Sequence, residues 1–297
     1  MSITAPTTSL SPVIWRGSAC VPALTDVLAL VTKCEPWSRA VTLGANLAAA
    51  WGASFTGCYI DPTLWDCTAA ASDPTVVSLL ARTGNAAAPS DMKLSRDFAD
   101  YARARGAGNV RWTVAKTGIA RTLRQLSAWH TLAIVEREMI VVGGGYDVLG
   151  EALVACRMPC IILPRPCDLS AKFARVVIGW NGSLEATRAI HSALPLLVAA
   201  DDVCLLDGSN GHGDEDDGLP HFDPGVYLAE HNVEVRTQPI HADRRTAGRV
   251  LLEEALRNEA SLLVMGAYSH SRLRERVYGG ATRHVIGQST IPVFLQH

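Results

Sequence analysis

The 297-residue chain lacks the short signatures that announce the commonest chemistries. No Gly-x-Gly-x-x-Gly follows a first strand, so a dinucleotide-dependent oxidoreductase is not expected. There is no Gly-x-Ser-x-Gly elbow either. Trp180-Asn181-Gly182-Ser183-Leu184 departs from it, which argues against hydrolysis by a serine nucleophile backed by His191 or His270. The eight cysteines are Cys20, Cys34, Cys58, Cys67, Cys156, Cys160, Cys167 and Cys204. None forms a Cys-x-x-Cys pair, so neither a zinc ribbon nor a thioredoxin-like centre is indicated. Reduced, buried thiols in a cytoplasmic protein are the expectation.

Charge and aromatics are also scarce. The 27 basic and 29 acidic residues sum to −2, and aromatics make up 6% of the chain. No global positive field exists to hold a phosphate backbone, and few rings exist to stack bases, so nucleic acid is not an expected partner. No apolar run approaches the roughly 18 residues of a membrane span. The run from Ala193 to Ala200 is short and contains Pro195. The first basic residue is Arg16 and no apolar run follows it, so no secretory signal and no membrane are expected.

What the chain does have is apolar residues, 48% against 19% charged, with a mean hydropathy of +0.14. That excludes intrinsic disorder. At about 150 residues per domain the length suggests two domains, each large enough for its own core. Buried strands alternate with helices. Strands are read at Leu24–Thr32, Ser54–Ile60, Val110–Ala115, Met139–Val142 and Cys160–Leu163. Helices are read at Ser38–Trp51, Ser90–Arg105 and Ala120–His130, with a short one reaching Cys156. Pro164-Arg165-Pro166 then punctuates the chain.

The cycle begins again after it. Strands are read at Ala174–Trp180, Val203–Asp207, Val233–Pro239, Leu262–Gly266 and Ile291–Leu295. Helices are read at Leu184–Ala199, Asp223–His231, Asp243–Asn258 and Ala281–Gln288. Glu138-Met-Ile-Val-Val-Gly-Gly pairs with Ser261-Leu-Leu-Val-Met-Gly-Ala, and Met158-Pro-Cys-Ile-Ile-Leu with Ile291-Pro-Val-Phe-Leu. The expected fold class is therefore α/β: two tandem five-stranded parallel-sheet, Rossmann-like domains, residues 1–165 and 172–297. Ile161-Ile162-Leu163 and Val293-Phe294-Leu295 are apolar edges that must be covered, and they are expected to meet as an intrachain pseudo-dimer. A further homodimer is left open.

Val264 to Thr282 carries the chemical signal. A buried strand ends at Gly266, a loop with Arg272, Arg274 and Arg276 follows, and Gly279-Gly280-Ala281-Thr282 opens a helix with Arg283 just inside. Ligands of open α/β sheets sit outside the carboxyl ends of the strands. A helix start there offers unpaired N–H groups and a positive dipole end, and glycines let the backbone approach an anion. This reads as a phosphate or nucleotide cradle.

The stretch resembles the universal stress protein family, whose nucleotide-binding members carry Gly-x-x-Gly, nine residues, then Gly-Ser or Gly-Thr. Here Gly266-x-x-Ser269 is followed by nine residues, beginning at His270, and then by Gly279-Gly280. Val177-Ile-Gly-Trp-Asn-Gly-Ser183 and Ile291-Pro-Val agree with the same resemblance. It implies a cytoplasmic stress-response and signalling module that binds an adenine nucleotide, ATP with Mg²⁺, and is not an enzyme beyond slow incidental hydrolysis. It implies contacts from Asn181, Gly182, Ser183, Gly266, Ser269, His270, Gly279, Gly280, Ala281 and Thr282. Asn181 stands where binding members have Asp, Ser269 where they have the second glycine, and Gly280 where they have Ser or Thr. The alternatives are a non-binding structural or interaction member of the same family, and an enzyme of phosphate chemistry.

The first half lacks this pattern. Gly266 to Ile291 spans 25 residues, whereas Gly143 to Cys160 spans 17, and Thr32-Lys33-Cys34 replaces Asn-Gly-Ser. The shortfall of eight predicts a half that binds no nucleotide and packs as a partner. His212, Asp214, Glu215, Asp216, Asp217 and His221 match neither a calcium loop nor a zinc helix. The 208–218 loop is read as solvated and acidic, with metal binding left open.

Overall fold

The computed structural model describes residues 23–60, 89–141, 158–209, 223–243, 245–267 and 280–297. The first half runs β1 (Asp26–Val31), α1 (Arg39–Trp51), β2 (Ser54–Ile60), α2 (Pro89–Arg103), β3 (Val110–Ala115), α3 (Ile119–Leu126), β4 (Leu132–Glu136), α4 (Glu138–Val141) and β5 (Cys160–Leu163). The second runs β6 (Arg175–Trp180), α5 (Leu184–Val198), β7 (Asp202–Asp207), α6 (Pro224–Glu230), β8 (Val235–Pro239), α7 (Ala247–Arg257), β9 (Leu262–Gly266), α8 (Gly280–Gln288) and β10 (Val293–Gln296). Local chemistry sets several ends. Gly52 closes α1 in the left-handed region at φ 63°, with its N–H donating to Ala48 O. Ser183 caps α5, its side chain accepting from Ala186 N.

All ten strands form one sheet in the order β3-β2-β1-β4-β5-β10-β9-β6-β7-β8. Each half is an open parallel unit of five. The halves join through β5 and β10, which are antiparallel, with Val293 opposite Ile162, Phe294 opposite Ile161 and Leu295 opposite Cys160. Every residue of both strands is buried. Each apolar edge thus covers the other within the chain. One core layer lies between the sheet and α1, α2, α5 and α6; the other lies beneath α3, α7 and α8.

Strand registers align the halves and overturn one expectation. Val27, Leu132 and Cys160 correspond to Val176, Leu262 and Val293. The fourth strand of the first half is therefore Leu132–Glu136, and Glu138–Val141 is a helical turn, not part of a Met139–Val142 strand. The match to Ser261–Ala267 is Thr131–Arg137, which places Glu136 where the second half has Gly266. The misplacement has a physical cause. A strand ending in a buried carboxylate reads as polar, while Met139-Ile140-Val141-Val142 reads as apolar. The eight-residue deficit falls with it, since Glu136 to Cys160 spans only three residues fewer than Gly266 to Val293. Gly143 to Gly145 and the stretch up to Cys156 lie outside the described residues. Helix α3 also stops at Leu126, short of the expected His130.

The described cysteines fit the reading of inert thiols. Cys58, Cys160 and Cys204 are buried, Cys34 and Cys167 are half-buried, and none of these five is in a disulfide. Burial pushes the Cys58 thiol up to about 12, and it also raises Cys34, Cys167 and Cys204. A thiol so placed stays protonated at pH 8 and is a poor nucleophile. Iodoacetamide treatment of the native chain, read by peptide mass spectrometry, leaves Cys58 unmodified; rapid labelling of Cys58 would show that the strand opens.

A candidate anion crevice at the carboxyl end of the second half

In the second half the chain leaves β6 outward to β7 and returns to β9 on the other side of β6. The crevice between β6 and β9 is thus the switch point of the sheet, where open α/β folds take ligands. Gly179 pairs with Met265, so Trp180 and Gly266 end neighbouring strands at the same edge. Asn181, Gly182 and Ser183 follow directly. Gly182 has φ 74°, the left-handed region that favours glycine. Asn181 Oδ1 accepts a hydrogen bond from Ser183 N at 3.2 Å, and Ser183 Oγ accepts one from Ala186 N at 3.2 Å. The turn is internally satisfied, and it starts α5 immediately.

Gly266 is required by that start. A Cβ on it would lie 2.5 Å from Ala186 N and 2.7 Å from Glu185 C, both backbone atoms. The first turn of α5 therefore rests on the end of β9. Helix α8 begins at Gly280, whose Cβ direction meets nothing within 4 Å among the described residues. Its second residue, Ala281, sits against α7, where a Cβ on Gly248 would meet Ala281 Cα and O at 2.7 Å. Thr282 is buried. The structure thus brings Asn181, Gly182, Ser183, Gly266, Gly280, Ala281 and Thr282 to one end of the sheet. Ser269, His270 and Gly279 lie outside the described residues.

Sequence reading missed other groups at this end. Asp207 closes β7; its Oδ1 accepts from Ser209 N at 2.9 Å. His297 Nδ1 lies 2.9 Å from Ala267 O, beyond β10. Asp243, ahead of α7, accepts from Arg245 N and Thr246 N at 2.8 Å. Hydrogen bonds, first from the Thr246 side chain, hold its carboxyl below the usual range. Strand ends carry no period of their own, so only their pairing to β6 and β9 could have singled them out.

The corresponding crevice of the first half is filled from within. Glu136 is buried; its Oε1 accepts from Arg39 N at 2.7 Å and its Oε2 from Thr32 Oγ1 at 2.9 Å. Arg39 Nε lies 3.3 Å from Glu136 Oε1, and Arg39 Nη2 donates to Glu138 Oε2 at 2.9 Å. Arg165 Nε reaches Glu138 Oε1 at 2.8 Å, and Arg39 also donates to Pro164 O. Two carboxylates meet two guanidinium groups, so the cluster is neutral as it stands. A carboxylate already lies at the first N–H of α1, the place an anionic ligand would occupy. Asn46 Nδ2 donates to Leu169 O at 2.8 Å, so the segment between the halves is also pinned to α1. The next residue, Arg137, crosses to the other half and donates to Ser289 O at 2.7 Å, just past α8.

Residues 172–297 match the profile of the Universal stress protein family. The second half is a universal stress protein domain. No curated protein matches the chain. Among solved structures, a universal stress protein from Archaeoglobus fulgidus is similar, with 13% identity, TM-score 0.60, and 91% of this chain and 95% of that one covered. A functionally unknown protein from Pseudomonas aeruginosa is similar at 11% identity and TM-score 0.53, with 92% of each chain covered. Because both alignments span both halves, the first half shares the fold although the family profile covers only the second.

Within the universal stress protein domain the other candidates separate. Ser183 is committed to its cap, while His191 stacks on Tyr227 with ring centroids 4.4 Å apart and Nδ1 3.3 Å from its hydroxyl. The structure assigns these two side chains to different partners, not to a nucleophile–base pair. The acidic residues from Asp214 to Asp217, with His212 and His221, lie outside the described residues. Among the described residues no group of three His, Cys, Asp or Glu could hold a metal. No described helix is long and apolar enough to cross a membrane.

Proposed function

We propose that the universal stress protein domain binds an adenine nucleotide, ATP with Mg²⁺, in the β6–β9 crevice. The chain then serves as a cytoplasmic binding and signalling module without a catalytic role. The observation that carries this reading is Gly266. Its bare Cα lets the start of α5 close on β9, and α8 opens at the same end with Gly280 unobstructed. A helix start leaves its first N–H groups without intrahelical partners, so those of Gly280 and Ala281 are offered to phosphate oxygens whatever the side chains are. Mg²⁺ would travel with the phosphates.

A second reading is a non-binding structural member of the same family. The observation favouring it is Asn181, whose Oδ1 is already spent on Ser183 N. Calorimetry of the full chain with ATP and Mg²⁺ separates the two. The first expects saturable heat with micromolar to low millimolar affinity. Absence of heat at millimolar ATP overturns it in favour of the second, and sustained release of phosphate above background overturns the non-catalytic role.

A further inference from the structure

The two halves differ at the opposite end of the sheet in what faces their third strands, β3 and β8. In the second half, β8 is covered by α7 through side-chain hydrogen bonds. Gln238 Nε2 donates to Glu254 Oε2 at 2.9 Å, and Arg236 Nη2 donates to Asn258 Oδ1 at 3.0 Å. Arg236 also reaches Asp202 Oδ2 at 3.5 Å. Strand registers make Arg111 the counterpart of Arg236, Thr113 of Gln238 and Ser54 of Asp202. Counted back along the chain from the matched starts of β4 and β9, Ala128 stands for Asn258 and Arg124 for Glu254. The correspondence is tight here, because Thr131 Oγ1 bonds Asp26 O at 3.0 Å just as Ser261 Oγ bonds Arg175 O at 2.9 Å.

Arg111 has therefore kept its charge and lost both partners. Among the described residues its guanidinium has no ion pair or hydrogen bond. Helix α3 ends early, and beside Arg111 the first half has an open cavity of about 620 Å³. Arg111, Thr113, Thr56 and Asp26 are among the residues that line it from the strands, and Trp129 and His130 are among those that line it from the segment after α3. Trp129 is 71% exposed, an unusual cost for so large an apolar ring. His130 is held rigidly, with Nδ1 2.8 Å from Leu126 O and Nε2 2.9 Å from Thr56 Oγ1.

We propose that this cavity is a binding site for a small organic anion with a flat apolar body, of the aromatic carboxylate class. The planar fork of Arg111 matches a carboxylate. The exposed indole face of Trp129 offers a surface for a ring. The site is independent of the nucleotide crevice, since it lies at the amino end of the strands in the other half.

Benzoate is the probe. Titrated into the full-length chain and followed by ligand-observed NMR and tryptophan fluorescence, it is expected to saturate in the millimolar range. Arg111→Gln weakens it about tenfold or more, the worth of one charge-assisted pair. Ala128→Asn, at an exposed position, restores the partner the second half uses and weakens benzoate likewise by competing for the guanidinium. Trp129→Ala removes the fluorescence response. Absence of saturation overturns the proposal, and so does unchanged affinity in both Arg111→Gln and Ala128→Asn while their thermal midpoints match the parent.

Discussion

Replacing Glu136 by alanine lowers the stability of the chain by about 3 kcal/mol in urea unfolding. Among the described residues Glu136 carries the one buried carboxylate, and it is the acceptor for the Arg39 backbone N–H, the Arg39 guanidinium and the Thr32 hydroxyl. Removing one partner of a buried pair leaves the other uncompensated, which costs more than the pair itself contributes. The figure sits at the low end of that range because Arg39 is 20% exposed and keeps Glu138 and Pro164 O as partners. Glu136→Leu combined with Arg39→Met is expected to recover most of the loss, since the double change removes both charges at once. A loss below about 1 kcal/mol for Glu136→Ala would show that water solvates this cluster and that the crevice is not sealed.

The second large effect belongs to the corresponding position. Gly266→Val is expected to destabilise the second half by about 3 kcal/mol, read as a lowered urea midpoint. Its Cβ would fall inside contact distance of Ala186 N and Glu185 C, which are backbone atoms and cannot swing aside. The strain would loosen the Ser183 cap and displace the start of α5, so the nucleotide binding proposed for this crevice is expected to vanish in the same variant. Gly266→Ala is milder but has the same sign. Stability and ATP affinity both unchanged in Gly266→Val would refute the close approach of α5 to β9. The first half tolerates a glutamate there for a geometric reason. Helix α1 begins eight residues after Val31, whereas α5 begins four after Trp180. The later start leaves room at the strand end for a side chain.

Much of this architecture was legible in the residues. The alternation of apolar runs with 3.6-residue patterns yields a sheet with helices on both faces, and Ser54–Ile60, Val110–Ala115, Cys160–Leu163 and Leu262–Gly266 fall on strands with the same bounds. The apolar edges Cys160–Leu163 and Val293–Gln296 do cover each other. The fourth strand of the first half was not legible. Leu132-Ala-Ile-Val-Glu136 ends on a carboxylate whose partner, Arg39, lies far back in the chain, and no local pattern reports that pairing. Taking the apolar run at Met139–Val142 instead shifted the comparison of the halves and made the first appear eight residues short.

The sequence by itself determined the class of fold and its duplication, because these follow from hydrophobic period and from glycine and proline placement. Tertiary structure alone decided how the strand ends of the two halves differ. The crevice of the first half is not missing a loop of spacer length; its own buried glutamate fills it. At the corresponding position of the second half a glycine lets a helix close on the strand end. Both facts depend on atoms brought together from distant parts of the chain, and a sequence fixes such contacts only through the folded backbone that carries them.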